Sequence, residues 1–214
     1  MKRSVLIFLM ACLFLVSCTR VKTEYWPGGT KKSEVTVKGS AYEGQAKYWY
    51  ENGQLQTSCN YQNNLLEGTL STYYKTGFLK IEEHYHNGVL NGPSKTYDNS
   101  GSLKSEAGYL NGTLNGRYAE YYPNKSLRIE GNYLNGNHEG TWLFYDPSGN
   151  VIGEGTYNLG NGVQKAYYDN GIIKQVTRYT NNLKDGDEVF YKPDGSVDLI
   201  NKYSKGKLID KIKK

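Results

Sequence analysis

Cysteine is scarce in this chain of 214 residues: there are three, at positions 12, 18 and 59. Two of them lie in or beside an apolar N-terminal stretch, which leaves Cys59 by itself. A lone cysteine excludes an internal disulfide and a cysteine metal cluster, and reads as a small half-buried residue rather than a reactive thiol. Proline is scarce too, with five residues. Apolar residues make up 37%, too few for a large buried core, yet aromatics at 14% are too many for a disordered chain. Nor does one sign of charge dominate. Beyond the N-terminal stretch there are 24 basic and 21 acidic groups, and residues 18–201 hold 18 and 20. No nucleic-acid partner is expected from that balance.

Catalytic signatures are missing as well. There is no G-x-S-x-G elbow, no phosphate-binding G-x-x-x-x-G-K-[ST] loop and no H-E-x-x-H. Glu82 and Glu83 are adjacent, so in a strand they point to opposite faces and cannot act together on one substrate. His84 and His86 would share a strand face and could take a metal, but the third histidine, His138, is two repeats away. Two exposed histidines beside a turn is the plainer reading. Neither an enzyme nor a cofactor is expected.

Residues 1–17 differ from the rest. Met1-Lys2-Arg3 is a short positive segment, and SVLIFLMACLFLV (4–16) is an apolar run of thirteen residues. A membrane span needs about 20, so the run suits a signal peptide better. It ends in LVSC (15–18), which resembles a bacterial lipobox. The resemblance implies lipidation of Cys18 as the mature N-terminus, and hence a lipid-anchored location in the bacterial cell envelope, facing the periplasm or the outside. LMAC (9–12) is a second candidate with too short an apolar run before it. An ordinary cleaved signal or an uncleaved anchor is the alternative.

Glycine and tyrosine are what the chain has in plenty, 25 and 21 residues. The glycines fall in register: Gly44, Gly68, Gly92, Gly116, Gly140, Gly162 and Gly186, at intervals of 24 except for one of 22. Five residues after each stands an aromatic, from Trp49 and Tyr73 to Tyr191, and seventeen after each stands a tyrosine, from Tyr61 to Tyr203. Nine after comes a turn glycine, with Lys125 as the exception. Tyr25 and Gly29 continue the register backwards as an eroded first unit. Such a period marks a repeat protein.

Each unit reads as a hairpin. ENG (51–53), DPSG (146–149), DNG (169–171) and PDG (193–195) are turn sequences, and Asn-Gly follows the closing tyrosine. Between turns the period is two. LRIEGNY (127–133) places Leu127, Ile129, Gly131 and Tyr133 on one face and Arg128, Glu130 and Asn132 on the other. The expected fold is all-β: a single-layer antiparallel sheet of about seven 24-residue hairpins. About fifteen strands at ~4.8 Å would make it roughly 70 Å long. The divisions are residues 1–17 as signal peptide, 18–208 as repeat domain and 209–214 as a basic tail. Unit six is two residues short, where YNLGNG (157–162) should alter a turn.

GTLSTYYKTGFLKIEEHYHNG (68–88) and GRYAEYYPNKSLRIEGNYLNG (116–136) resemble the variant MORN repeat of bacterial proteins. The resemblance covers nearly all of the mature chain. It implies an elongated sheet that binds other molecules, and one branch of that family is described as antitoxins. With a lipobox, an immunity-type role at the envelope fits better than a cytoplasmic one.

The aromatic pairs are the binding candidates: Trp49 with Tyr50, Tyr73 with Tyr74, Tyr121 with Tyr122, and Tyr167 with Tyr168. Neighbouring strand residues face opposite ways, so one ring of each pair should pack and the other stand free to meet a protein partner or a cell-wall glycan. Both rings simply covering the thin sheet is the alternative. Glu43, Glu67, Asn91, Asn115, Glu139, Asn161 and Asp185 precede the repeat glycines and could bind a cation, though such residues before glycine are also ordinary turn chemistry. The lysines of KYSKGKLIDKIKK (202–214) could touch anionic lipid or guard the last strand's open edge.

Overall fold

The computed structural model describes residues 18–214; the expected signal peptide lies outside the described residues. The first hairpin joins β1 (Thr19–Tyr25) and β2 (Lys31–Lys38), so the eroded first unit is a complete one. Then come β3 (Ala41–Trp49), β4 (Leu55–Gln62), a two-residue β5 (Leu65–Leu66) and β6 (Gly68–Tyr73). The middle holds β7 (Leu79–His86), β8 (Val89–Tyr97), β9 (Leu103–Leu110), β10 (Thr113–Tyr121), β11 (Leu127–Leu134) and β12 (Asn137–Tyr145). The rest is β13 (Val151–Asn158), β14 (Asn161–Tyr167), β15 (Ile173–Thr180), β16 (Leu183–Tyr191), β17 (Val197–Ser204) and β18 (Lys207–Lys213).

Strands pair antiparallel with their sequence neighbours, β5 and β6 sharing β4, in one open meander of 18 strands. Among the described residues every pairing lies within 19–213. The boundary expected at residue 208 falls inside β18. Residues 209–213 are not a tail but the last strand, paired to β17.

Two bulges per unit shape the meander. The repeat glycines Gly44, Gly92, Gly116, Gly140 and Gly186 have φ between 69° and 124° and lie where the pairing shifts by two residues. Only glycine adopts such angles at little cost, which is why the column exists. In the short unit, β13 and β14 pair without any shift and Gly162 has no positive φ. The two missing residues are the bulge. Gly162 remains necessary for another reason: a Cβ there would lie 2.1 Å from the Thr156 carbonyl oxygen.

Loss of that bulge rearranges the next turn. Elsewhere a turn N–H donates to the carbonyl 22 residues back, as Gly112 to Leu90 and Gly136 to Leu114. After the short unit Asn182 also donates 22 residues back, but there the acceptor, Gly160, lies in the preceding turn. Its side chain then reaches two units back, where Oδ1 accepts from the His138 N–H at 3.0 Å and Nδ2 donates to Asn137 Oδ1 at 3.0 Å. The turn itself holds Leu159 at φ 47°, where the equivalent residues are Asn63, Asn87, Asn111, Asn135, Asn181 and Lys205. A branched apolar side chain is poorly suited to that region. Leu159→Asn should therefore raise stability by about 0.5–1 kcal/mol in urea unfolding.

The column two residues after the repeat glycine faces the column fifteen after it. The resulting pairs match large to small: Tyr118 opposite Gly131 and Trp142 opposite Gly155, with Ala46 opposite Cys59 at the N-terminal end. Burial concentrates along this face. Val35, Val37, Ala46 and Cys59 form one core, and Trp142 and Tyr157 are buried further along. Burial also pushes the Cys59 thiol pKa up, as befits an unreactive packed residue. The opposite face carries the charges, with Lys95 between Glu82 and Glu106, and Glu154 beside Lys165.

Candidate functional site

The aromatic pairs line one long edge of the sheet, next to the turns. The first member of each pair sits at the second bulge, where pairing shifts just before the turn, as at Trp49, Tyr73, Tyr121 and Tyr167. Its ring lies over the charged face. Tyr121 Oη donates to Glu106 at 2.9 Å, Tyr145 Oη to Glu130 at 2.6 Å and Tyr167 Oη to Glu154 at 2.8 Å. Burial and the Glu154 bond push the Tyr167 pKa up to about 12, and the Glu130 bond with burial does the same for Tyr145. Arg117 bridges Glu106 and Glu130 between these rings.

The second member stitches one unit to the next. Tyr50, Tyr74, Tyr122 and Tyr168 each donate from Oη to the carbonyl 23 residues on, at Tyr73, Tyr97, Tyr145 and Tyr191, over 2.7–2.8 Å. Trp26 Nε1 does the same to the Trp49 carbonyl at 3.1 Å. Lysines cover several rings: Lys80 Nζ stands 5.7 Å from the Tyr74 ring centre and Lys174 Nζ 5.7 Å from that of Tyr168. All eight candidate side chains are half-buried, so the free ring expected in each pair is absent. Each ring packs along the edge, and both members of a pair line one cavity at Tyr121–Tyr122 and at Tyr167–Tyr168. Tyr122→Phe should cost about 1 kcal/mol in urea unfolding, because it frees a carbonyl. Tyr73→Phe, whose hydroxyl bonds no described group, is the control and should cost less than about 0.5 kcal/mol.

The stitch is missing where the second position is not aromatic, at Asp98, at Asp146 and at Lys192 in the C-terminal unit. Each carboxylate folds back on its own turn. Asp98 Oδ1 accepts from the N–H groups of Ser100 and Ser102, and Asp146 Oδ1 from those of Ser148 and Asn150. These hydrogen bonds hold both carboxyls below the usual aspartate range. The space a tyrosine ring fills elsewhere is left open. A cavity of 540 Å³ lies beside Asp98, lined by Lys104, Tyr121 and Tyr122, and one of 620 Å³ beside Asp146, lined by Ile152, Tyr167 and Tyr168. Sequence reasoning missed both, although Asp98 and Asp146 stand in the tyrosine column and could have been read from it.

The other candidates find structural partners. Glu43, Glu67, Glu139 and Asp185 each accept from the N–H of the next Asn-Gly-type turn, at Asn63, Asn87, Leu159 and Lys205. That row is turn capping. His84 Nδ1 is 3.0 Å from the Pro93 carbonyl, and His86 Nδ1 is 3.1 Å from Glu67 Oε1. Among the described residues no cluster of three metal-ligating side chains occurs. Missed too was an aromatic cluster on the apolar face, where His138 lies 4.4 Å from Trp142 and Trp142 5.0 Å from Tyr133, centre to centre.

A family model described as MORN repeat variant matches residues 42–63, 66–87, 90–111, 114–135, 139–159 and 161–181. The chain belongs to that family, and its architecture is a repeat-based binding scaffold. No curated protein matches it. Among solved structures it is similar to a chain of "Crystal Structure of TcdB2-TccC3-Cdc42", at 12% identity and a TM-score of 0.24, over 87% of this chain and 12% of that one. It is similar at the same identity and TM-score to a chain of "Crystal Structure of TcdB2-TccC3-TEV", over 86% of this chain and 12% of that one. It thus spans 12% of the length of either.

Proposed function

We propose that the chain is a non-catalytic, lipid-anchored scaffold of the bacterial cell envelope that holds a protein partner, in the manner of an immunity protein. The observation that carries this reading is the tyrosine edge. Rings held at fixed spacing by hydrogen bonds lose little freedom on contact, and two open cavities interrupt them. Cys18 is exposed and the first strand begins at Thr19, so a lipid there would hold the sheet's end at the membrane without a tether.

A second reading, glycan binding, is favoured by the same paired rings beside carboxylates. Affinity capture from the native organism, with residues 19–214 as bait and purified cell wall in parallel, separates the two. One stoichiometric protein supports the scaffold, and retention on cell wall alone replaces it with the glycan reading. Capture of neither overturns both. Cys18→Ser should move the full chain from the membrane fraction to the soluble one, and unchanged fractionation would refute the lipid.

A further inference from the structure

We infer that the cavities beside Asp98 and Asp146 are receptor sites for tyrosine side chains of the protein partner. This rests on the scaffold reading and names the chemistry by which the partner is held. The chain itself displays the bound state. At four turns a tyrosine of the preceding unit lies along this edge with its Oη on the carbonyl of the next unit's first aromatic, at 2.7–2.8 Å. At the two aspartate turns the register puts the carbonyls of Tyr121 and Tyr167 in that acceptor position. The aspartates cannot occupy the space, because their carboxylates are turned back onto Ser100, Ser102, Ser148 and Asn150.

The rest of the sibling arrangement is also in place. Lys80 and Lys174, six residues after Tyr74 and Tyr168, stand over those rings. Six residues after Asp98 stands Lys104, which lines the open cavity. A phenol there would meet a cation on its face and a carbonyl at its hydroxyl, the same two contacts that Tyr74 and Tyr168 make. Six residues after Asp146 stands Ile152, an apolar wall in place of the cation. The two sites therefore differ, and the first should prefer the more electron-rich ring. Four strands separate them, roughly 19 Å, which about six residues of extended chain would span. The partner chemistry that fits is two tyrosines about six residues apart on an extended segment.

The test uses p-cresol, the tyrosine side chain alone, against ¹⁵N-labelled residues 19–214. Saturable shifts should appear at residues 98–104 and 121–123 and at 146–152 and 167–171, with Kd on the order of 1–10 mM. Toluene, which lacks the hydroxyl, should bind roughly tenfold more weakly. Asp98→Tyr with Ser100→Asn, and Asp146→Tyr with Ser148→Asn, copy the turn of Tyr122 and Asn124, where Asn124 Oδ1 accepts from the Ser126 N–H. Each pair of changes should abolish the shifts at its own cavity and leave the other unaltered. A wild-type titration without shifts at either cavity overturns the inference, whatever the variants do. So does equal binding of toluene, or shifts produced by methyl N-acetylglucosaminide and not by p-cresol. A captured protein partner with no p-cresol binding would sink the inference and leave the scaffold standing; p-cresol binding with no captured partner would do the reverse.

Discussion

Gly131→Ala is expected to destabilise the sheet about as much as removing the tryptophan that lies on it. A Cβ at residue 131 would stand 2.2 Å from Cδ2, 2.4 Å from Cε2 and 2.6 Å from Cγ of Trp142. No heavy atoms coexist at such distances, so the indole must leave. It has nowhere equivalent to go. The ring is 3% exposed, its Nε1–H donates to the Asn132 carbonyl at 3.1 Å, and Tyr118, Tyr133 and His138 surround it. Emptying a buried tryptophan site costs about 3–5 kcal/mol, and the alanine should approach that by evicting the ring. Because both changes destroy one packing arrangement, the double variant Gly131→Ala/Trp142→Ala should fall near Trp142→Ala alone rather than near the sum. In a sheet whose units contact mainly their neighbours, hydrogen exchange should show the loss confined largely to β10–β13. Additive urea-unfolding losses, or a change below about 1 kcal/mol for Gly131→Ala, would sink the account.

Glu188→Ala is expected to cost about 3 kcal/mol, and Glu188→Gln to flatten the acid side of the stability profile. Glu188 is 2% exposed on the face that carries the buried core. Its carboxylate meets Lys184 Nζ at 2.5 Å, Gln175 Nε2 at 2.8 Å and Asn201 Nδ2 at 3.0 Å. Removing the acceptor leaves these donors facing one another in a buried site. Burial pushes the carboxyl pKa up, but the bonds from Lys184 and Asn201 and the Lys184 charge outweigh it, and the net position is below the usual glutamate range. The unfolded pKa is thus the higher one. The carboxylate's contribution is complete above about pH 4.5 and is lost as pH falls through the folded value. Asp98, Asp146 and Asp194 have lowered values too, so the test is the difference between wild type and Glu188→Gln from pH 7 to pH 3. Parallel profiles would mean that Glu188 has the same pKa folded and unfolded, and would refute the account.

Much of the architecture was legible because its cause is local. A glycine column every 24 residues follows from bulges that need positive φ, and Asn-Gly from turns that need it twice. The altered turn at YNLGNG was legible for the same reason, although its nature, a deleted bulge, required the pairing register. The candidate tyrosines were read as pairs with one free ring, whereas both rings of each pair are half-buried. Alternation along a strand gives the side on which a ring lies, and says nothing of a carbonyl 23 residues away that takes its hydroxyl. The end of the sheet was misjudged because lysine density resembles a tail, whereas β17 pairs residues 207–213 into the sheet.

The sequence by itself determined the all-β repeat, its period, its turns and the alternation of apolar and charged faces, since each depends on backbone angles and a period of two. Only the tertiary structure decided which variable residues oppose one another. That Trp142 lies on Gly131, that Glu188 gathers Lys184, Gln175 and Asn201, and that two aspartates leave room where four tyrosines fill it, are facts of register. Register sums the bulges and turns of the whole meander, so no single unit read alone contains it.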